Sequence, residues 1–199
     1  MINAIDFAAV VGLTATVLLT LNILLGLLVS TNYNPAKQWP RRKLPWPLFR
    51  IHNWTGYIAM AVVCIHPVSL LFVDSKVAKF GLREILLPFT SQGQTNYNIL
   101  GGVAFYGFAL VVATSYFRPK LGYRPWKKLH YTAYFAAASM FLHGTLIDQN
   151  LKNGAPDLLD GEKVLVEGCF AVVLAASIWR WRRGTEKQRH RVAKLSRVA

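Results

Sequence analysis

Apolar residues along the chain gather into five runs, at about residues 6–30, 51–73, 98–117, 129–147 and 164–181, separated by stretches rich in proline, glycine and charge. Each run is close to the roughly 20 residues needed to cross about 30 Å of hydrocarbon at 1.5 Å per residue. The runs are continuous and lack the alternation of a membrane barrel strand, so each is predicted to be a helix, which satisfies its own backbone hydrogen bonds in lipid. The pattern therefore predicts an all-α integral membrane bundle of about five transmembrane helices over residues 1–182, with residues 183–199 as a basic tail. No soluble domain fits in the 18 residues after Trp181 or in any loop.

The first run carries no ionisable residue after Asp6 and is predicted to be a lipid-facing wall. Lacking a basic start, and longer than a typical signal core, it is expected to be a retained span. Pro35, Pro40, Pro45 and Pro47 preclude a long regular helix in the loop that follows, where Trp39 and Trp46 suit the headgroup layer. In the second run, Pro67 frees the carbonyl of Val63, which is expected to accept the Nδ1–H of His66. Phe80 to Leu87 is too short to span and reads as an amphipathic interfacial turn, and Ser91 to Asn98 as a polar loop. Gly101, Gly102 and Gly107 suit close approach of a helix or of a flat ligand.

The formal net charge of +14 changes this picture less than it first suggests. Eighteen of the 23 lysines and arginines lie in three segments: 31–50, 118–128 and the tail from Arg180. With five helices these segments fall on one side, and eight of the nine acidic residues fall on the other. The positive-inside rule then places the N-terminus outside and the C-terminus in the cytoplasm, with anionic membrane lipid and no nucleic acid as partner of the basic segments. Cys64 and Cys169 stand in no metal or redox spacing and read as small packing residues.

Four of the five histidines lie within these spans, where such side chains are costly and face partners inside the bundle. His52 and His66 are 14 residues apart on the second run, which returns to within about 40° of the same face after about 21 Å. His130 and His143 are 13 apart on the fourth, which leaves the two rings about 140° apart unless the helix is locally distorted or the ligands are approached from different sides. The topology pairs His52 with His130 at one depth and His66 with His143 at another. Zinc or copper would want ligands converging at one depth, whereas two axial imidazoles at each of two levels suit two stacked six-coordinate b haems that transfer electrons. The macrocycles would sit among Gly56, Gly102 and the Ala136–Ser139 stretch, and Arg50, Arg124, Lys127 and Lys128 lie where inner propionates would emerge. Proton-relay or purely structural histidines remain the competing reading.

At Arg50-Ile51-His52-Asn53-Trp54-Thr55-Gly56 with His66-Pro67, and at Trp126-Lys127-Lys128-Leu129-His130 with His143, the chain resembles the ferric reductase-like transmembrane domain superfamily. That superfamily includes NADPH oxidases, ferric reductases and the haem subunit of the periplasmic methionine sulfoxide reductase system, and its ligand spacings are likewise 14 and 13. The resemblance implies transmembrane electron transfer, with His52 and His130 on an inner haem b and His66 and His143 on an outer one. It also implies an extracytoplasmic acceptor and a location in a bacterial inner membrane. Unlike the oxidases, the chain shows no glycine-rich dinucleotide fingerprint, so the donor is expected to be a separate cytoplasmic flavin reductase, bringing its own flavin, or a membrane quinol. Three alternatives stand beside this conduit: a direct ferric or oxygen reductase at the outer haem, a cytochrome b561-like quinol-linked subunit, and a non-redox histidine-bearing membrane protein.

Overall fold

The structure, a computed structural model, describes residues 4–31, 47–73, 80–91, 94–147 and 159–195, with side chains as far as Gly184 in the last segment. Among them the elements are α1 (Ala4–Thr31), α2 (Leu48–Ser69), α3 (Leu82–Leu86), α4 (Thr95–Tyr116), α5 (Arg118–Leu121), α6 (Tyr123–His130), α7 (Thr132–Leu146) and α8 (Gly161–Leu195), with 3-10 turns at Leu70–Phe72 and Pro88–Thr90. No strand occurs among the described residues. The proline-rich segment 32–46 with its two tryptophans lies outside the described residues.

Local chemistry sets the boundaries. Pro47, at φ −60° and ψ 139°, caps the start of α2, a position that costs the helix no hydrogen bond. Pro67, near the other end, is followed by tightening into the 3-10 turn. Gly122 turns the chain between α5 and α6 at φ 78°, a conformation that glycine adopts without a Cβ penalty. The fourth helix starts at Thr95, so the end of the expected polar loop is helical, and Phe80 to Leu87 is organised around the five-residue α3.

Four helices are long and apolar enough to cross a membrane: Ala4–Thr31, Leu48–Phe72, Thr95–Tyr116 and Gly161–Gly184. Between 11% and 28% of the most apolar window of each is fully buried in the protein. The chain is an integral membrane protein. The fifth expected span, 129–147, differs: the helix tightens into a turn at Tyr131, which divides it into the end of α6 and the 15-residue α7. Tyr131 keeps helical geometry (φ −67°, ψ −18°), and its N–H is shared between the carbonyls of Lys127 and Lys128 at 3.3 Å each. The last helix also departs from expectation. It begins at Gly161 and runs through most of the basic tail to Leu195, a stretch of good helix formers without a proline.

α1 packs along α2, α4 along α7, and α8 against α1 and α7. Small side chains make this possible: Ala59 and Ala136 are completely buried, and Gly107 lies against Ala136. α1 is not only a wall facing lipid, because Ala8, Ala15, Thr16, Leu19, Thr20 and Leu27 are buried within the bundle. The start of α1, the end of α2, the starts of α4 and α8 and the end of α7 line one cavity, so the chain passes back and forth between two ends.

Candidate functional site

The four span histidines meet in two pairs. The ring centres of His52 and His130 are 6.2 Å apart with planes at 83°, and those of His66 and His143 are 6.4 Å apart at 73°. Two imidazoles in contact need not stand so far apart. A ring nitrogen about 2 Å from a metal, and about 1.1 Å from its own ring centre, gives about 6.2 Å between the centres of two rings on opposite sides of one metal ion. Both pairs meet that spacing.

What lies behind each ring fixes which nitrogen faces its partner. Nδ1 of His66 lies 2.9 Å from the carbonyl oxygen of Ala8, Nδ1 of His52 is 3.1 Å from that of Asn22, and Nδ1 of His143 is 2.7 Å from that of Tyr97. A carbonyl only accepts, so in these three rings Nδ1 carries the proton and donates it, leaving Nε2 unprotonated and able to bind a metal. Each acceptor stands four residues before a glycine, namely Gly12, Gly26 and Gly101. At those glycines a Cβ would come within 2.9–3.0 Å of the histidine Cε1. The missing side chain is what lets the ring reach a carbonyl on the flank of the neighbouring helix.

The fourth ring is held differently. Nδ1 of His130 lies 3.4 Å from the hydroxyl of Ser115, which also accepts from Trp126 Nε1 at 3.3 Å. Trp126 stacks on His130 with ring centres 5.0 Å apart and planes at 29°, and the Arg118 guanidinium sits 4.4 Å from the centre of the Trp126 ring.

The 13 residues from His130 to His143 span the junction of α6 and α7, at Tyr131 directly after His130. The expected bond between His66 and Val63 gives way to one with Ala8, because α1 packs close enough along α2 to offer its own carbonyl. Gly56 is turned away from the ligands: a Cβ there would lie 3.3 Å from Asn22 Nδ2. That amide donates to the His52 carbonyl at 2.6 Å and to Thr55 Oγ1 at 2.8 Å. Gly102 lines the outer cavity beneath Pro88. Arg50, Arg124, Lys127 and Lys128 are exposed, and Lys127 is drawn to Tyr123, whose hydroxyl raises its pKa above the ordinary lysine value. Arg118, which the sequence does not single out, approaches the His52–His130 pair through the Trp126 ring.

The His66–His143 pair opens on a cavity of about 380 Å³, walled by apolar residues, Phe80, Leu82 and Pro88 among them. Its lining includes Lys163, only 6% exposed, and Glu162, whose Oε2 is buried with no hydrogen-bond partner among the described residues. No group of three or more histidine, cysteine or acidic side chains that could hold a metal ion occurs among the described residues. Two ligands per level suffice only for a group that brings its own equatorial donors, as a porphyrin does. The ring spacing, the tautomers, the buried Lys163 and the unpartnered Glu162 oxygen beside the His66–His143 pair all fit haem.

Sequence comparison is consistent with this geometry. Residues 11–141 match the family model described as ferric reductase like transmembrane component. The match takes in His52, His66 and His130 and stops two residues before His143. Neither a curated protein nor a solved structure matches the chain.

Proposed function

The chain belongs to the ferric reductase-like transmembrane family, and on that premise we propose that it conducts electrons across the membrane through two b haems, one held by His52 and His130 and the other by His66 and His143. The observation that carries this reading is the repeated ring-to-ring spacing, 6.2 Å at one level and 6.4 Å at the other, with Nε2 left free in the three carbonyl-bonded rings. Bound haem supplies one-electron exchange at an iron with no open position for oxygen.

The chain's part is to orient the imidazoles, exclude water and place the two levels one above the other. Along α2 the 14 residues from His52 to His66 rise about 21 Å. At the outer level Lys163 and Glu162 would meet the carboxylate edge of the macrocycle, the lysine as counter-ion and the glutamic acid, when protonated, as hydrogen-bond donor. At the inner level that place falls to Arg118. The distribution of basic residues supports an orientation with the C-terminus in the cytoplasm; the proposal then places the chain in a bacterial inner membrane, with a cytoplasmic flavin reductase or a membrane quinol as donor and an acceptor outside.

The test is a reduced-minus-oxidised visible spectrum of the purified protein with a pyridine haemochrome count. Two low-spin b haems per chain are expected. A protein that binds none, after expression with ample haem, would overturn the reading.

A further inference from the structure

The two halves of the ligand set repeat one another with a single exception. Gly12 and Gly26 on α1 are 14 residues apart and lie against His66 and His52, which are 14 apart on α2. Gly101 on α4 lies against His143, and the position 14 residues further on, where the fourth glycine would stand, is Ser115. Four residues before it, the carbonyl of Val111 meets no imidazole but only the longer contact of the Thr114 hydroxyl, 3.2 Å against 2.7 Å to the Leu110 carbonyl. Three ligands thus donate to backbone carbonyls at 2.7–3.1 Å, and His130 faces a hydroxyl at 3.4 Å that already accepts from Trp126.

The geometry assigns Ser115 and Trp126 to a distinct role: they position His130 through a weak acceptor and a stacked indole, and so set the inner haem at a higher potential than a fourth glycine cradle would. This rests on the haem reading above. A strong acceptor at Nδ1 makes an imidazole more electron-rich and favours the oxidised iron, whereas a long bond to an already engaged hydroxyl does so less. The stacked indole keeps the ring in place where the hydrogen bond is too long to do so. Arg118, one ring further out, adds a positive charge that disfavours the oxidised iron in the same direction.

The experiment is a spectroelectrochemical titration of both haems in the parent protein and in Ser115→Gly, Ser115→Ala and Ser115→Thr, with low-spin EPR signals and haem content recorded for each. Ser115→Gly opens the Val111 carbonyl to the ring, and one haem's midpoint should move down while the other stays. Ser115→Ala removes the acceptor, and the same midpoint should move up with a changed EPR signal. Ser115→Thr keeps the hydroxyl and should match the parent. If Ser115→Gly does not accumulate, the difference between Ala and Thr decides. The inference is overturned if those two are indistinguishable, if Ser115→Gly moves upward, or if both haems shift together. Fewer than two haems in the parent would instead strike at the proposed function, before any variant is compared.

Discussion

Gly12 lies so close beneath the ring of His66 that a Cβ on it would stand 2.9 Å from the histidine Cε1. Gly101 stands in the same relation to His143, and Gly26 to His52 at 3.0 Å. Methyl groups there would push a ligand ring off its carbonyl and toward its partner. Alanine gains about 1 kcal/mol over glycine in a helix, but overpacking at a tight contact costs about 1–3 kcal/mol. Gly12→Ala and Gly101→Ala should each lose or loosen the outer haem alone, and Gly26→Ala the inner one, with the protein still folded. Haem content and EPR on each variant check this. Equal loss of both haems in all three would show that the glycines serve general packing.

The pairing of the histidines was legible in the sequence because imidazoles are rare in a hydrocarbon span, and two pairs spaced by 14 and 13 residues stand out against leucine and valine. The cradles were not. Gly12 and Gly26 sit in a run whose composition reads as lipid-facing, and small residues in membrane helices have many uses. The usable signal was their separation of 14 residues, the same as that of His52 and His66. Composition also hid the turn at Tyr131, since nothing in Leu129-His130-Tyr131-Thr132 forbids a helix. Nor could it show that Gly56 serves Asn22 and leaves the ligands alone, because that contact depends on how α1 lies along α2.

Asn22 ties α1 to the first turns of α2 through the His52 carbonyl and Thr55. Interhelical hydrogen bonds in membranes contribute about 0.6–2 kcal/mol. Asn22→Leu should therefore lower the thermal midpoint in detergent by a few degrees and weaken the inner haem more than the outer. Gly56→Ala should reproduce part of the effect, since its methyl would crowd the amide at 3.3 Å. A stability unchanged in both variants would remove Asn22 from the inner site.

Lys163 tests the outer cavity by the chemistry of its ligand. If it pairs with a carboxylate of the macrocycle, Lys163→Met should weaken outer-haem retention against a haem-scavenging apoprotein by about ten-fold, the equivalent of about 1.4 kcal/mol, and Lys163→Arg should restore most of it. Reconstitution with a dimethyl-ester haem, which lacks the charges, should erase the difference between parent and Lys163→Met. A difference that persists with the ester would make the lysine a packing residue.

α8 bears on the orientation of the whole bundle. Its 35 residues extend about 52 Å, more than the roughly 30 Å of hydrocarbon, so one end must project into water as helix. The basic end is the one that projects: Trp179 and Trp181 mark an interface, the Arg183 guanidinium lies 4.6 Å from the Trp179 ring centre, and Arg180 donates to the Tyr134 hydroxyl. The start of α8 shares its end of the molecule with the outer cavity, so Asp160 and Arg183, both exposed, lie on opposite sides. In a chain whose Cys64 and Cys169 are replaced by alanine, Asp160→Cys should react with an impermeant maleimide added to intact cells, and Arg183→Cys and Lys120→Cys only after the membrane is opened. The reverse pattern would overturn the proposed orientation, because the pair that opens on the cavity would then face the cytoplasm. Reaction of Lys120→Cys from the same side as Asp160→Cys would mean that the α6–α7 segment does not complete a crossing.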